Sequence, residues 1–418
     1  MNPVDSLRPV DRPVDADGPR ADPTLRHAPW PQARRAARRA GAPLPAELLG
    51  PVAALGRTLA EPLTALTDLP AFDTSAMDGW AVAGPGPWRL TGRLLAGERC
   101  RPLADGEAVE IATGAQLPPG ATGVLRREHG RVEPGDAEPG DGGEGGLLRG
   151  AVGPGQDVRP RGQECRCGDE LLPAGTVVTP AVLGLASAAG HDALTVRRRP
   201  TVELLVLGDE LQESGLPGPG RVRDALGPLL PPLLAAAGAE VLGRRYVRDD
   251  FGLLRDAIRH SPADVVLTTG GTAAGPVDFL HAALEATGGH LLVDGVAVRP
   301  GHPMLLAELP GGRRLVGLPG NPLAAVAGTV TLALPLLAAL SGRPTGAGRE
   351  RIERAAVDLP GHPADTRLLP VVRREDGVVP LAFDGPAMLR GLALAEALAV
   401  VPPGGVPAGG RTELLTLP

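Results

Sequence analysis

The order of elements between Thr201 and Leu340 predicts an α/β fold with a doubly wound, mostly parallel sheet, in a chain long enough to carry further domains. Three observations lead there. Short apolar runs that read as buried strands alternate with helix-period segments in β-α-β-α-β-α order, the pattern of a parallel sheet with right-handed crossovers. The 418 residues exceed the roughly 100–200 of a usual domain and call for two to four cores. From Arg343 to Pro418 the texture changes to short alternating segments with turn residues between them, as in Pro370–Arg374, Ala397–Pro402 and Thr412–Thr416, which reads as a small β-domain.

Composition narrows the class. Apolar residues make up 43% and charged residues 22%, as in a globular protein, but aromatics are only 2%, so the cores must be aliphatic. Every basic residue is arginine, a bias of GC-rich coding that gives Lys-to-Arg replacement little functional weight. A net charge of −6 without a long basic run argues against a nucleic-acid or membrane-surface protein. Cys100, Cys165 and Cys167 cannot build a disulfide framework, and a Cys-x-Cys pair is poor zinc spacing, so they read as free cytosolic thiols. No signal-peptide h-region opens the chain, and Gly, Pro or charge breaks each apolar run short of about 18 residues, so a cytoplasmic location is expected.

In order, residues 1–30 mix Pro, Asp and Arg with few apolar side chains and read as a disordered tail. Arg34, Arg35, Arg38 and Arg39 mark a basic helix, most simply a solvated face, and Leu48–Leu59 continues with helical spacing. The Gly- and Pro-rich stretch His129–Gly150 reads as a hairpin tip. Val177–Gly190 is a small-residue helix, opened by Thr179 as N-cap and Pro180 at its first position. The strand Thr201–Leu207 then runs into Gly208-Asp209-Glu210, a carboxylate pair at the strand end where open α/β sheets bind ligands. A helix over Leu226–Gly238, a strand over Glu240–Tyr246, the acidic turn Asp249-Asp250 and a helix over Phe251–His260 follow.

They lead to Asp264–Phe279, the centre of the chain. Val265, Val266 and Leu267 form a buried strand, Gly270, Gly271 and Gly275 allow backbone to approach a ligand, and Pro276 suits the first turn of a helix. Free amides at such a turn favour phosphate. The same loop also exists as a tight turn without ligand, and the spacing is not Gly-x-Gly-x-x-G. A strand at Arg314–Val316 and a closing helix over Leu323–Leu340 complete the domain.

Six strings carry a resemblance. Ser75-Ala76-Met77-Asp78-Gly79-Trp80-Ala81-Val82, Thr113-Gly114-Ala115 and Gly155–Glu164 occur first; Gly208-Asp209-Glu210-Leu211, Arg299-Pro300-Gly301-His302-Pro303 and Gly317-Leu318-Pro319-Gly320-Asn321-Pro322 follow. Together they resemble the molybdopterin molybdenumtransferase family, which includes the E domain of gephyrin. Read alone, Asp78 before Gly79 is also a plain turn aspartate.

The resemblance implies an elongated segmented domain over 31–65 and 155–200 and an inserted β-domain over 66–154. It places the α/β molybdopterin-binding domain at 201–343 and a C-terminal β-barrel-like domain at 344–418, giving two β-rich domains in all. It implies insertion of molybdate into adenylylated molybdopterin with release of AMP, dependence on Mg²⁺, a homodimer, and the molybdopterin adenylyltransferase as a partner. The residues carried over for catalysis are Asp78, Glu210, Asp250 and Asp278, of which Glu210, Asp250 and Asp278 would hold the metal. Those carried over for cofactor binding are Thr113, Arg159, Arg161, Gly270, Gly271, Arg299, His302, Pro319 and Pro322. Carboxylate oxygens suit a hard cation, and arginine's planar fork suits phosphate.

Departures from the family pattern fall on polar positions: Leu207 for Thr, Leu226 for Asn, Ala273 for Ser, Pro276 for an acid, His302 for Lys and Ala324 for Ser. Lost hydrogen bonds of about 0.5–1.5 kcal/mol each leave open an alternative, a catalytically poor paralogue that binds molybdopterin as a scaffold or carrier.

Overall fold

The computed structural model describes residues 23–99, 101–134, 146–272, 279–344 and 351–417. The chain forms two compact units. The first draws on residues 1–43, 199–340 and 344–418, and the second on 44–198 and 341–343.

The first unit is built on one twelve-stranded mixed sheet. In chain order it contains β1 (Leu25–Pro29), α1 (Trp30–Arg39), β2 (Thr201–Leu207), α2 (Leu226–Ala236), β3 (Glu240–Val247), α3 (Phe251–His260), β4 (Val265–Thr269), α4 (Leu280–Ala286), β5 (His290–Arg299), β6 (Leu305–Glu308), β7 (Arg314–Leu318) and α5 (Pro322–Leu340). The strands β8 (Arg351–Arg354), β9 (Thr366–Arg374), β10 (Gly377–Pro380), β11 (Ala397–Val401) and β12 (Arg411–Leu415) follow. Across the sheet the order is β3-β2-β4-β7-β6-β5-β9-β11-β12-β8, with β1 added on β5 and β10 on β9. β3, β2, β4 and β7 run parallel, as the β-α alternation predicts, and β6 is antiparallel to both its neighbours.

Burial explains the order. All five residues of β4 are buried, and β2 is buried from Leu204 to Leu207, as strands covered on both faces must be. β3, at the edge, exposes Arg244, a charged edge that discourages further pairing. Leu205, Leu207 and Val266 share a core with Leu254, Ala257 and Ile258 of α3 and Leu280, Ala283 and Leu284 of α4.

Several expectations change here. The tail expected over 1–30 ends early: Leu25–Pro29 pairs parallel with β5, and Thr24 Oγ1 donates to Leu291 O at 2.7 Å. Helix α1 belongs to the first unit, not to the segment starting at residue 31, because its buried stripe of Trp30, Ala33 and Ala37 lies against α5. Trp30 Nε1 donates to Thr331 Oγ1 at 2.9 Å, and Arg34 donates to Val330 O at 2.8 Å. Instead of a helix, Leu48–Leu59 begins within the strand Ala46–Leu49 and holds one helical turn, Pro51–Ala54, since Gly50-Pro51 interrupts any helix there. Helix α5, expected over Leu323–Leu340, runs through Gly328 and Pro335 with a π-helical turn at Thr329–Ala333 just ahead of Pro335, so the apolar run that glycine and proline were expected to cut short is continuous. It is long and apolar enough to cross a membrane, yet it is largely buried within its own unit.

The second unit holds a six-stranded sheet in the order Gly123–Arg126, Gly79–Val82, Glu107–Ile111, Trp88–Leu94, Leu147–Arg149, Arg131–Glu133. Alternation gives each face a core, Ala81 with Val109 and Val124 on one and Trp80 with Val82, Ala108 and Leu125 on the other. A third core joins Ala54, Leu59 and Leu63 to the helix Pro180–Ala188, where Thr179 Oγ1 accepts from Val182 N as the capping pattern predicts.

Candidate functional site

In the first unit the chain leaves β2 for β3 on one side and returns past β2 to β4 on the other. The carboxyl ends of β2 and β4 therefore bound the point where strand order reverses, the usual ligand crevice of an open sheet. Backbone from three strand ends crowds together there. Gly270 N donates to Leu318 O at 2.9 Å, and Gly270 and Gly271 have φ of 85° and 68°. A Cβ on Gly270 would stand 3.3 Å from Leu207 O, and one on Gly320 would stand 3.6 Å from Gly270 Cα. The glycines thus let the three loops approach as closely as they do.

Acidic groups ring this opening. A small depression is lined by Leu207, Arg248, Asp249, Asp250, Leu254, Gly271 and Phe279. Asp249 Oδ2 accepts from Asp209 N at 3.2 Å, and Arg248 Nε lies 3.6 Å from Asp209 Oδ1. Glu210 is exposed and folds back, so that a Cβ on Gly208 would meet its Oε2 at 2.7 Å. Asp250 is the N-cap of α3, its Oδ1 accepting from Leu253 N at 2.8 Å; a capping role therefore accounts for one of its oxygens. Asp278, Gly275 and Pro276 lie outside the described residues. Among the described residues no three His, Cys, Asp or Glu side chains are grouped to hold a metal. The hard oxygens of Glu210 and Asp250 nonetheless fit Mg²⁺, which is commonly held by one or two carboxylates with water and substrate phosphate supplying the rest.

The loop Pro319–Pro322 starts α5, but its helix end is not open to an anion. Leu323 N and Ala324 N both donate to Pro386 O, at 2.9 and 3.2 Å. Arg299 and His302 lie together at the turn between β5 and β6. Arg299 Nε donates to Asp365 Oδ2 at 2.8 Å, and His302 Nδ1 is 2.9 Å from Val296 O.

In the second unit, antiparallel pairing sets Gly79 opposite Ile111 and so brings the residues flanking those strands, Asp78 and Thr113, together. Thr113 donates twice to Asp78 Oδ1, from its backbone N–H at 2.7 Å and from its hydroxyl at 2.9 Å. The backbone donor, then the hydroxyl, then the more distant Arg127 charge hold the Asp78 carboxyl below the usual carboxylate range. Gly79 is required here, since a Cβ would stand 2.0 Å from Leu125 O. Arg159 pairs with Thr74 beside the same string; its exposed side chain has no ion pair or hydrogen bond among the described residues. Arg161 differs, because its guanidinium is bound to Asp68 and its backbone N–H donates to Asp73 at 2.6 Å. Asp68 is held low first by the Cys167 N–H and then by Arg161.

Three polar residues without an assigned role from sequence prove to be structural or positional. Asp224, buried, caps α2 by accepting from Leu226 N and Gly227 N, and takes the Tyr246 hydroxyl at 2.6 Å. Burial first, and that bond second, push the Tyr246 phenol up to about 12. An aspartate two residues ahead of a helix is a legible capping signal. His27 and Asp365 had no such signal, since their partners are far away in sequence.

Residues 29–190 match the MoeA N-terminal region (domain I and II), residues 203–339 a probable molybdopterin binding domain, and residues 353–416 the MoeA C-terminal region (domain IV). A molybdopterin molybdenumtransferase of Bacillus subtilis (strain 168) is 30% identical over 387 residues, 87% of this chain and 88% of that one. That of Synechococcus elongatus is 34% identical over 301 residues, 68% and 72% of the respective chains. The molybdopterin biosynthesis MoeA protein of Pyrococcus horikosii, a solved structure, superposes with a TM-score of 0.75 at 26% identity, covering 94% of this chain and 99% of that one. The chain belongs to the molybdopterin molybdenumtransferase, or MoeA, family.

Proposed function

We propose that the protein inserts molybdate into adenylylated molybdopterin and releases AMP, acting in molybdenum cofactor biosynthesis. The observation that supports this reading most is the crevice at the strand-order reversal of a molybdopterin-binding domain, floored by Gly270 and Gly271 and edged by Glu210 and Asp250. Close backbone approach at the two glycines suits a pterin diphosphate, whose charge cations of the domain would offset.

In this reading Arg299 and His302 in the first unit, and Arg159 in the second, supply positive charge to anionic parts of the substrates. Asp78, fixed by Thr113, stays ionised and supplies a carboxylate whose Oδ2 has no partner among the described residues. Glu210, Asp250 and Asp278 would hold Mg²⁺, which when bound offsets phosphate charge as the pyrophosphate link is cleaved. Gly271 leaves room beside Asp250 in the same depression. Arg161 has the least capacity for a ligand, being tied to Asp68. The protein would work as a cytoplasmic homodimer and receive its pterin from the molybdopterin adenylyltransferase.

The test is turnover of adenylylated molybdopterin with molybdate and Mg²⁺, scored by AMP release. Clear release by the wild type, lowered about 10²- to 10³-fold in Asp78→Asn, is the expected result. A wild type that binds the pterin and releases no AMP would mark it instead as a scaffold or carrier, in keeping with the replaced hydroxyl and lysine positions.

A further inference from the structure

The end of β5 belongs to the rim of the strand-reversal crevice. β6 runs antiparallel to β7, with Leu305 opposite Gly317, and β5 runs antiparallel to β6, with Asp294 opposite Leu305. Residues of β5 after Asp294 therefore extend beyond the start of β6, on the side where β4 and β7 end. The turn that follows is pressed onto the start of α5, since a Cβ on Gly301 would stand 3.0 Å from Ala324 O. Arg299 thus shares its rim with Pro319–Pro322, whose Gly320 approaches Gly270.

What holds its side chain comes from the C-terminal part of the unit. β9 pairs parallel with β5 over two residues, Thr366 with Val298 and Arg367 with Arg299, which brings Asp365 to the end of β5. Asp365 is buried, 3% exposed, and its Oδ2 accepts from Arg299 Nε at 2.8 Å. Its backbone is pinned, because Ala364 N and Asp365 N both donate to His362 Nδ1, at 3.3 and 3.0 Å. His27 Nε2 approaches Asp365 Oδ1 only to 3.7 Å, beyond hydrogen-bond reach. The neighbouring Arg367 does not compete for the carboxylate, since it donates to Asp384 Oδ2 at 2.7 Å and to Pro360 O at 3.2 Å. Asp365 is accordingly the one partner of the Arg299 guanidinium among the described residues.

That contact uses little of the guanidinium. Of an arginine's N–H groups, Arg299 gives the one on Nε, and its two amino groups have no partner among the described residues, on a side chain that is half exposed. A long side chain loose in solvent loses rotamer freedom when a ligand orders it. Arg299 has given up part of that freedom before any ligand arrives. Its fork, held at Nε, leaves open the edge formed by both amino groups, the edge that can grip two oxygens of a phosphate.

We propose that Asp365 is a positioning residue for Arg299: it orders the guanidinium through Nε and leaves both amino groups to take an anionic oxygen pair of the pterin substrate. This rests on the reading that Arg299 supplies positive charge to the substrate, and deepens it by naming the group that aims that charge. Positioning and mere neutralisation differ in sign. Were Asp365 only cancelling charge, its removal would strengthen binding of an anion; because it aims the fork, its removal weakens that binding.

Two measurements on the full-length protein test this. In spectra of protein labelled with ¹⁵N at arginine Nε, the Arg299 signal, assigned by its loss in Arg299→Gln, should be sharp and slow to exchange before any ligand is added. An Nε–H that exchanges as fast as that of free arginine overturns the proposal with no change at Asp365. The second measurement is equilibrium binding of adenylylated molybdopterin with molybdate omitted. Asp365→Ala should raise Kd roughly 3- to 10-fold, the cost of ordering one flexible side chain on binding, and Asp365→Asn, whose amide oxygen still accepts from Nε, should recover most of it. Arg299→Gln sets an amide N–H in the place of Nε, so Asp365 keeps a donor while the amino groups are gone. It should weaken binding at least as much, and Asp365→Ala should add nothing to it. Tighter binding by Asp365→Ala, an equal loss from Asp365→Ala with and without Arg299→Gln, or an Arg299→Gln protein that binds like wild type overturns the proposal. A protein that meets every expectation and yet releases no AMP would keep Asp365 in this role and refute the transfer reading instead.

Discussion

Asp250 and Asp78 each have a structural contact of their own, besides the chemical duty we propose for them. Asp250 caps α3 through Oδ1, so a single loss of activity on mutation would not separate the two duties. Serine separates them, because its hydroxyl can still cap while its charge is gone. We expect Asp250→Ser to stay within about 0.5 kcal/mol of wild type in denaturant unfolding while Asp250→Ala loses about 1 kcal/mol, and both to lose most AMP release. An Asp250→Ser protein with full turnover would reduce Asp250 to a cap. Glu107 offers a pH test away from the chemistry. Arg101 above all, then the Ala104 N–H, lowers its carboxyl from 4.5 to about 2. Its folded-state value being depressed, the stability it contributes is complete above the unfolded value and is lost as pH falls from about 4.5 towards 2. Glu107→Gln should accordingly flatten the fall in thermal midpoint over that interval, and an unchanged acid limb would show that other carboxylates govern it.

At the level of elements, strands and helices with a clean period were legible and their long-range partners were not. Helix α3 spans Phe251–His260 and β2 spans Thr201–Leu207, the bounds that periodicity and capping predict. The hairpin of β5 and β6 was not read, because His290–Arg299 has a break at Gly295 and its ladder to β6 shifts register between Leu291 and Val293. The segment Leu48–Leu59 has helical spacing, yet Leu48 is paired in a ladder with Thr195, a non-local choice that overrides local preference. Of the candidate site, the glycines at strand ends were legible because only backbone freedom explains them. That Leu323 N and Ala324 N are taken by Pro386 O was not, as no pattern in Pro319–Pro322 reports a partner some 60 residues on. Gly79 makes the point in stability terms. With Leu125 O 2.0 Å from its missing Cβ, Gly79→Ala should destabilise the second unit by at least about 1–3 kcal/mol, read as a lower denaturant midpoint. An unperturbed midpoint would mean that the two strands can separate without cost.

For the molecule as a whole, the C-terminal strands are not an appendage to the first unit. β9 pairs parallel with β5 at Val298 and Arg299, so one ladder continues from the α/β part into the C-terminal part. The N-terminal helix is equally integral. Trp30 is 4% exposed and bonded to Thr331, and Trp30→Ala should cost about 3–5 kcal/mol in equilibrium unfolding of the full chain. A loss below about 1 kcal/mol would show that α1 is dispensable to this core.

The same N-terminal strand has a consequence in time. Thr24 and its acceptor Leu291 are 267 residues apart, and at roughly 5–20 residues per second a growing chain spends about 13–53 s between making the one and making the other. Through that interval β1 waits with its backbone unmatched, the state in which a nascent strand is most open to capture by a neighbouring chain. The sequence of the waiting segment, Leu25-Arg26-His27-Ala28-Pro29, is poorly suited to such capture: Arg26 and His27 put two polar side chains in its middle, proline ends it without an amide to offer, and the left-handed turn at His27 keeps it from lying flat.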